Sequence, residues 1–239
     1  MKKLKFLGKL LACALFSSMF MVSTKAQEIN AESKQDTELV IVVDKSGSMY
    51  NLADDTIGSY NSMIEEQKDP DKEGNVYVTT VMFNQNNEKI HDRKDIKDVE
   101  KITRKEYNPG GCTALLDAVG STITQLSSNE IVKKNKVIFV VITDGYENAS
   151  REFKKEQIKK LIEEKTKEKW EFIFLGANID SVKESGNIGI MATHTRDFTA
   201  SSDGISQAFK CVGTAINQVR NNKAIDLDEV EKQKKEVDK

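Results

Sequence analysis

The chain has 239 residues, of which 38% are hydrophobic and 31% charged, with only two prolines. That balance excludes collagenous, multi-spanning and largely disordered chains and is enough for one sizeable core. Lysine and arginine number 36 against 38 aspartates and glutamates, so the concentrated basic excess of a nucleic-acid-binding domain is missing and no nucleic-acid partner is expected.

At the N-terminus, Lys2, Lys3, Lys5 and Lys9 flank an apolar run from Leu10 to Val22, followed by Ser23-Thr24-Lys25-Ala26. Basic, apolar and then small residues in that order read as a signal peptide over residues 1–26, cleaved after Ala26. The run is shorter than the roughly 20 residues that a spanning helix needs. An uncleaved anchor, or a lipid on Cys13 in Leu10-Leu11-Ala12-Cys13, are the alternatives, and either would be the only tie to a membrane. The expected location is outside the cytoplasm: secreted, periplasmic or associated with the cell envelope. Cleavage removes five of the 36 basic residues and none of the 38 acidic ones, giving a net charge near −7.

Residues 27–37 are polar and aperiodic, a flexible lead-in. Leu39-Val40-Ile41-Val42-Val43 then forms an unbroken apolar run ending at Asp44, the pattern of a central parallel strand covered on both faces. Ile57, Tyr60 and Ile64 share a helix face. Val76 to Phe83 and Glu88 to Arg93 read as strands around the turn cluster Gln85-Asn86-Asn87, the second being a charged antiparallel edge. Leu115, Ala118, Val119, Thr122, Ile123 and Leu126 mark another helix, and Val137 to Ile142 a second buried strand ending just before Asp144. Phe153, Ile158, Leu161 and Ile162 give a helix whose other face carries Lys154, Lys155, Lys159 and Lys160 among glutamates, a solvated surface. Glu171 to Leu175 and Met191 to Phe198 are further strands, and Ile205 to Val219 the last helix. The expected domain, residues 38–222, is therefore a doubly wound, mostly parallel α/β sheet with helices on both faces, and residues 223–239 are a charged tail.

In Asp44-Lys45-Ser46-Gly47-Ser48 a strand ends in a carboxylate followed by hydroxyls at alternate positions across a glycine turn. Hard oxygen donors of this kind suit Mg²⁺, Mn²⁺ or Ca²⁺. Asp and Ser also cap helices and build turns without any ligand, so the motif alone leaves both readings open. Gly110-Gly111-Cys112-Thr113-Ala114 and Thr143-Asp144-Gly145 add oxygen donors beside the same strand ends, where open α/β sheets place their ligands.

Asp-x-Ser-x-Ser, Gly-Gly-x-Thr-Ala and Thr-Asp-Gly together resemble the metal-ion-dependent adhesion site of the von Willebrand factor A family, over roughly residues 38–222. The resemblance implies that Ser46 and Ser48 bind the metal through their hydroxyls, and Thr113 when a partner is engaged. Asp44 and Asp144 would lie around the ion, often through water. It also implies a sixth position left open for an Asp or Glu of a protein partner.

Enzyme readings fit these residues poorly. A phosphatase using an aspartate nucleophile needs a second aspartate at position 46, where Ser46 stands. His91 and His194 adjoin no nucleophile motif and read as surface residues, and no His or Cys cluster could hold catalytic zinc. The glycines of Gly176-Ala177-Asn178 and Gly186-Asn187-Ile188-Gly189 lack dinucleotide or P-loop spacing and read as turns. Cys112 and Cys211, about a hundred residues apart, read as buried free thiols, with a disulfide as the alternative. The expectation is an exported, non-enzymatic module that binds a protein partner through a divalent cation, Mg²⁺ first. The alternative is a scaffold component of a metal-dependent multiprotein complex.

Overall fold

The segment Thr-Glu-Leu-Val-Ile-Val-Val-Asp carries apolar β-branched side chains at both odd and even positions, so as a strand it must be covered on both faces. In the computed structural model, which describes residues 35–69 and 74–228, it forms β1 (Thr37–Asp44), buried along its whole length. On one side lie β2 (Val76–Phe83) and β3 (Asn87–Asp95), on the other β4 (Lys136–Thr143), β5 (Trp170–Gly176) and β6 (Thr195–Asp197). The described residues thus form a six-stranded sheet of order β3-β2-β1-β4-β5-β6. All pairs are parallel except β2 with β3, the charged edge.

The pleat sends alternate residues of β1 to opposite faces. Leu39, Ile41 and Val43 pack with Tyr60, Met63 and Ile64 of α1 (Ala53–Gln67) and with Ile205, Phe209 and Val212 of α5 (Ser202–Arg220). Val40 and Val42 pack with Val119 and Ile123 of α2 (Leu115–Ser127) and with Ile158 and Ile162 of α3 (Lys155–Lys167). Each such side chain contributes about 1.5–3 kcal/mol when fully buried. A short α4 (Ser181–Asn187) joins β5 to β6. Val43 lies opposite Ile142 in the β1–β4 register, so the chain leaves both central strands at the same level and Asp44 and Asp144 arrive at one sheet edge.

Several expectations change. His91 is not a surface residue: it is buried on β3, its Nδ1 3.2 Å from both the Tyr60 and the Thr80 hydroxyls, with its ring stacked on that of Tyr60. His194 is half-buried beside Glu171. Phe153 precedes α3 and lies over Gly120 of α2, where an added Cβ would stand 2.5 Å from the ring. The strand expected from Met191 shortens to Thr195–Asp197, because Ala192–His194 coil into a 3-10 turn and leave Met191 exposed. Cys112 is exposed rather than buried, and no disulfide joins it to the half-buried Cys211. Gly186 and Asn187 close α4 instead of standing in a separate turn.

At the expected tail, residues 223–228 return to the body of the domain, with Leu227 buried in the face of the core that α1 and α5 cover. The expected signal peptide, lead-in residues 27–34 and residues 229–239 lie outside the described residues. No helix among the described residues is long and apolar enough to cross a membrane.

Candidate metal centre

Three loops meet at the carboxyl edge of the sheet. The first, Lys45–Leu52, is shaped by Asp44: its Oδ1 accepts the Ser46 N–H at 2.6 Å, a local side-chain turn that folds the chain back over the strand end. The Tyr107 hydroxyl donates to the Asp44 carbonyl at 2.6 Å from beneath. Gly47 N–H donates to the Gly111 carbonyl at 3.0 Å and Gly110 N–H to the Lys45 carbonyl at 2.9 Å, which ties the first loop to the second. Gly111 has φ of 82°, and any Cβ there would strike Gln85 Oε1, the acceptor of the Cys112 N–H.

The third loop, residues 144–154, has no regular structure, and side chains supply most of its hydrogen bonds. Glu147 accepts the N–H groups of Ala149 and Ser150, and also that of Leu116 in the first turn of α2. Asp117 of α2 accepts the N–H groups of Arg151, Glu152 and Phe153. Asn148 grips the second loop: its Oδ1 accepts the Thr113 N–H at 2.9 Å, and its own N–H donates to the Thr113 carbonyl at 3.0 Å. The third loop therefore sets the position of Thr113.

Of the five residues singled out from the sequence, four are joined by hydrogen bonds. The Ser46 and Ser48 hydroxyls are 3.1 Å apart, and Ser48 donates to Asp144 Oδ1 at 2.5 Å. Asp44 bonds the Ser46 backbone. Thr113 comes in across Gly145, where an added Cβ would lie 3.4 Å from the Thr113 hydroxyl and 3.6 Å from that of Ser48. Ser48 is exposed, and the other four are buried. Sequence reasoning missed Thr143, whose hydroxyl donates to Asp44 Oδ2 at 2.6 Å, and Asn148. Thr143 stood inside a quoted motif and could have been found from it. Asn148 had no signal beyond its place four residues after Asp144.

Electrostatics sharpens the arrangement. Burial raises the Asp44 carboxyl from 3.8 to about 6, against the bonds from Thr143 and Ser46 and with Asp144 adding repulsion. Burial also raises Asp144, against its bond from Ser48. Among the described residues neither carboxylate forms an ion pair with a lysine or arginine. Nearby Lys45 and Arg104 are taken by Glu88 and Asp54. Two carboxylates thus share a pocket of hydroxyls with no basic partner, an arrangement that favours a cation. Ligands about 2.1 Å from an octahedral ion stand about 3 Å apart when adjacent, and the hydroxyl spacing of 3.1 Å fits two such positions. Among the described residues no three His, Cys, Asp or Glu side chains cluster as a metal group, so the hydroxyls are essential to the fit.

No protein-family model and no curated protein matches the chain. Solved structures do. The proximal thread matrix protein 1 of the mussel byssus, described with a zinc-occupied metal-ion-dependent adhesion site, aligns at 17% identity and a TM-score of 0.55 over 75% of this chain and 45% of its own. The pilus adhesin SpaC from Lactobacillus rhamnosus GG aligns at 13% identity and 0.61, over 77% and 31%. A von Willebrand factor type A protein from Catenulispora acidiphila aligns at 12% identity and 0.54, over 77% and 43%. The chain spans less than half the length of each. At these identities the likeness is one of fold.

Proposed function

We propose that this chain, which has the von Willebrand factor A-type fold, is a non-enzymatic module that binds a protein partner through a divalent cation at the carboxyl edge of its sheet. One observation carries the reading: Asp44 and Asp144, both buried, are grouped with the Ser46 and Ser48 hydroxyls, and among the described residues neither is paired with a basic side chain. Ser46 and Ser48 would hold the ion through their hydroxyls, with Thr113 beside them and the two aspartates supplying the balancing charge. Bound there, the ion would give the surface a positive centre able to take an Asp or Glu of the partner. Mg²⁺ is the expected ion and Mn²⁺ or Ca²⁺ fit the same oxygen donors. The zinc-occupied metal-ion-dependent adhesion site of the mussel protein supports a divalent metal in a domain of this fold. The N-terminal segment and the adhesin and byssus neighbours support a place outside the cytoplasm.

The test is thermal unfolding of the chain in Mg²⁺ or Mn²⁺ against chelator. A ligand of the folded state alone raises the Tm in proportion to the logarithm of its concentration. Ser48→Ala, at an exposed position, should weaken the shift and Asp44→Ala should abolish it. A shift of undiminished size in both variants would put the metal elsewhere and end the proposal.

A further inference from the structure

The rim of this centre carries aromatic side chains in the open. Tyr50 is 62% exposed and Tyr146 53%, two of only five large hydrophobic side chains so exposed among the described residues. Each belongs to a loop that supplies donors to the centre. Tyr50 stands two residues beyond Ser48 and Tyr146 two beyond Asp144, and Ser48 and Asp144 are themselves hydrogen-bonded. Two residues of extended chain span at most about 7 Å, so both rings start close to the centre.

They leave it in different directions. Tyr50 lies in the 3-10 turn that leads into α1, whose Asp54 pairs with Arg104. The Tyr146 hydroxyl accepts the Asp180 N–H at 3.4 Å at the start of α4. Val182, 51% exposed, stands in the first turn of α4, two residues beyond Asp180. Two basic side chains of this edge are paired, Lys45 with Glu88 and Arg104 with Asp54. The rim thus carries exposed aromatic area on two of the loops that build the centre. Exposed tyrosines give large contact area at small entropic cost and are enriched at binding hot spots.

We infer that the partner segment presents a single carboxylate flanked on both sides by aromatic or aliphatic side chains, which Tyr50 receives on one side and Tyr146 with Val182 on the other. This rests on the metal-dependent reading above. An acid-rich stretch is the wrong partner, because only one acid meets the cation while its neighbours would meet tyrosine rings. Tyr50 and Tyr146 then set specificity without touching the metal donors.

The probe is an array of pentapeptides with a central Asp, its two neighbours drawn from Phe, Leu, Ser and Glu, read with the full chain in Mg²⁺ and in chelator. Peptides with apolar neighbours on both sides should exceed the serine-flanked ones at least fivefold and the glutamate-flanked ones by more. Tyr50→Ala and Tyr146→Ala should each cut that preference at least threefold while the Mg²⁺-induced Tm shift stays as in the wild type. No signal above background, a ranking led by glutamate- or serine-flanked peptides, or a ranking unaltered in both tyrosine variants would overturn the inference. A missing Tm shift, or capture equal in Mg²⁺ and chelator, would instead overturn the metal-dependent reading beneath it.

Discussion

Replacing Asp44 with asparagine tests whether this buried carboxylate is a liability that a cation relieves. Its folded-state pKa is about 6 against an ordinary 3.8, so between those values the folded chain holds a proton that the unfolded chain has released. Stability therefore falls as pH rises through that window and levels off above about 6. A shift of about two units at about 1.36 kcal/mol each gives a loss of about 3 kcal/mol at pH 7.5 without metal. Asparagine keeps an oxygen for the Ser46 N–H and can donate its amide to the Thr143 hydroxyl, which can then donate to the Gly145 carbonyl 3.2 Å away. In chelator at pH 7.5, urea denaturation should find Asp44→Asn more stable than wild type by up to about 3 kcal/mol, with an unchanged m-value. The gap should close toward pH 4 and reverse at pH 7.5 in saturating Mg²⁺, which only the wild type binds. A variant less stable than wild type in chelator, or a gap independent of pH, would refute the reasoning.

Thr113→Ala should leave circular dichroism unchanged and cost the fold about 1 kcal/mol, while capture of an acidic peptide in Mg²⁺ falls severalfold; equal capture would remove Thr113 from the binding face. Gly120→Ala places a methyl against the Phe153 ring at 2.5 Å, and overpacking of that kind should lower stability by about 1–3 kcal/mol in urea denaturation. Burial lowers the His91 pKa below 6.5, with Lys94 adding to it, so below 6.5 the unfolded chain takes a proton that the folded chain refuses and stability falls with falling pH. Measured in the Asp44→Asn background, which removes the larger opposing contribution and leaves that of Asp144 common to both proteins, that acid limb should flatten in His91→Gln.

The central sheet was legible because residues 39–43 of β1 and 137–142 of β4 are unbroken apolar runs, a pattern that a doubly covered strand satisfies. The grouping of Asp44, Ser46, Ser48 and Asp144 was legible for a related reason: residues at the ends of adjacent parallel strands must meet at one edge. What escaped depends on contacts far apart in sequence. His91 lies on a strand of charged residues, and only the Tyr60 and Thr80 hydroxyls from two other elements make its burial tolerable. Phe153 is close in sequence to Ile158 and Leu161 of α3 yet packs across Gly120, 33 positions earlier, a partner that no local period reveals. Leu227 sits among charges, and its burial follows from the chain turning back after α5, held by Gln218 bonded to the Asp226 backbone.

The side-chain bonding of the third loop separates what its residues say from what they support. Its course is written by Asp117, Glu147 and Asn148, whereas Ala149, Arg151 and Glu152 enter its hydrogen bonds through backbone N–H groups alone. Any residue except proline supplies that N–H. Tyr146 likewise takes no part in the bonds that hold the loop to α2 and Thr113. Positions 146, 149, 151 and 152 are thus a rewritable alphabet on a loop whose attachment to α2 and Thr113 does not depend on their content. New recognition could be grafted at this edge by randomising those four positions, with the three anchoring side chains left as they are.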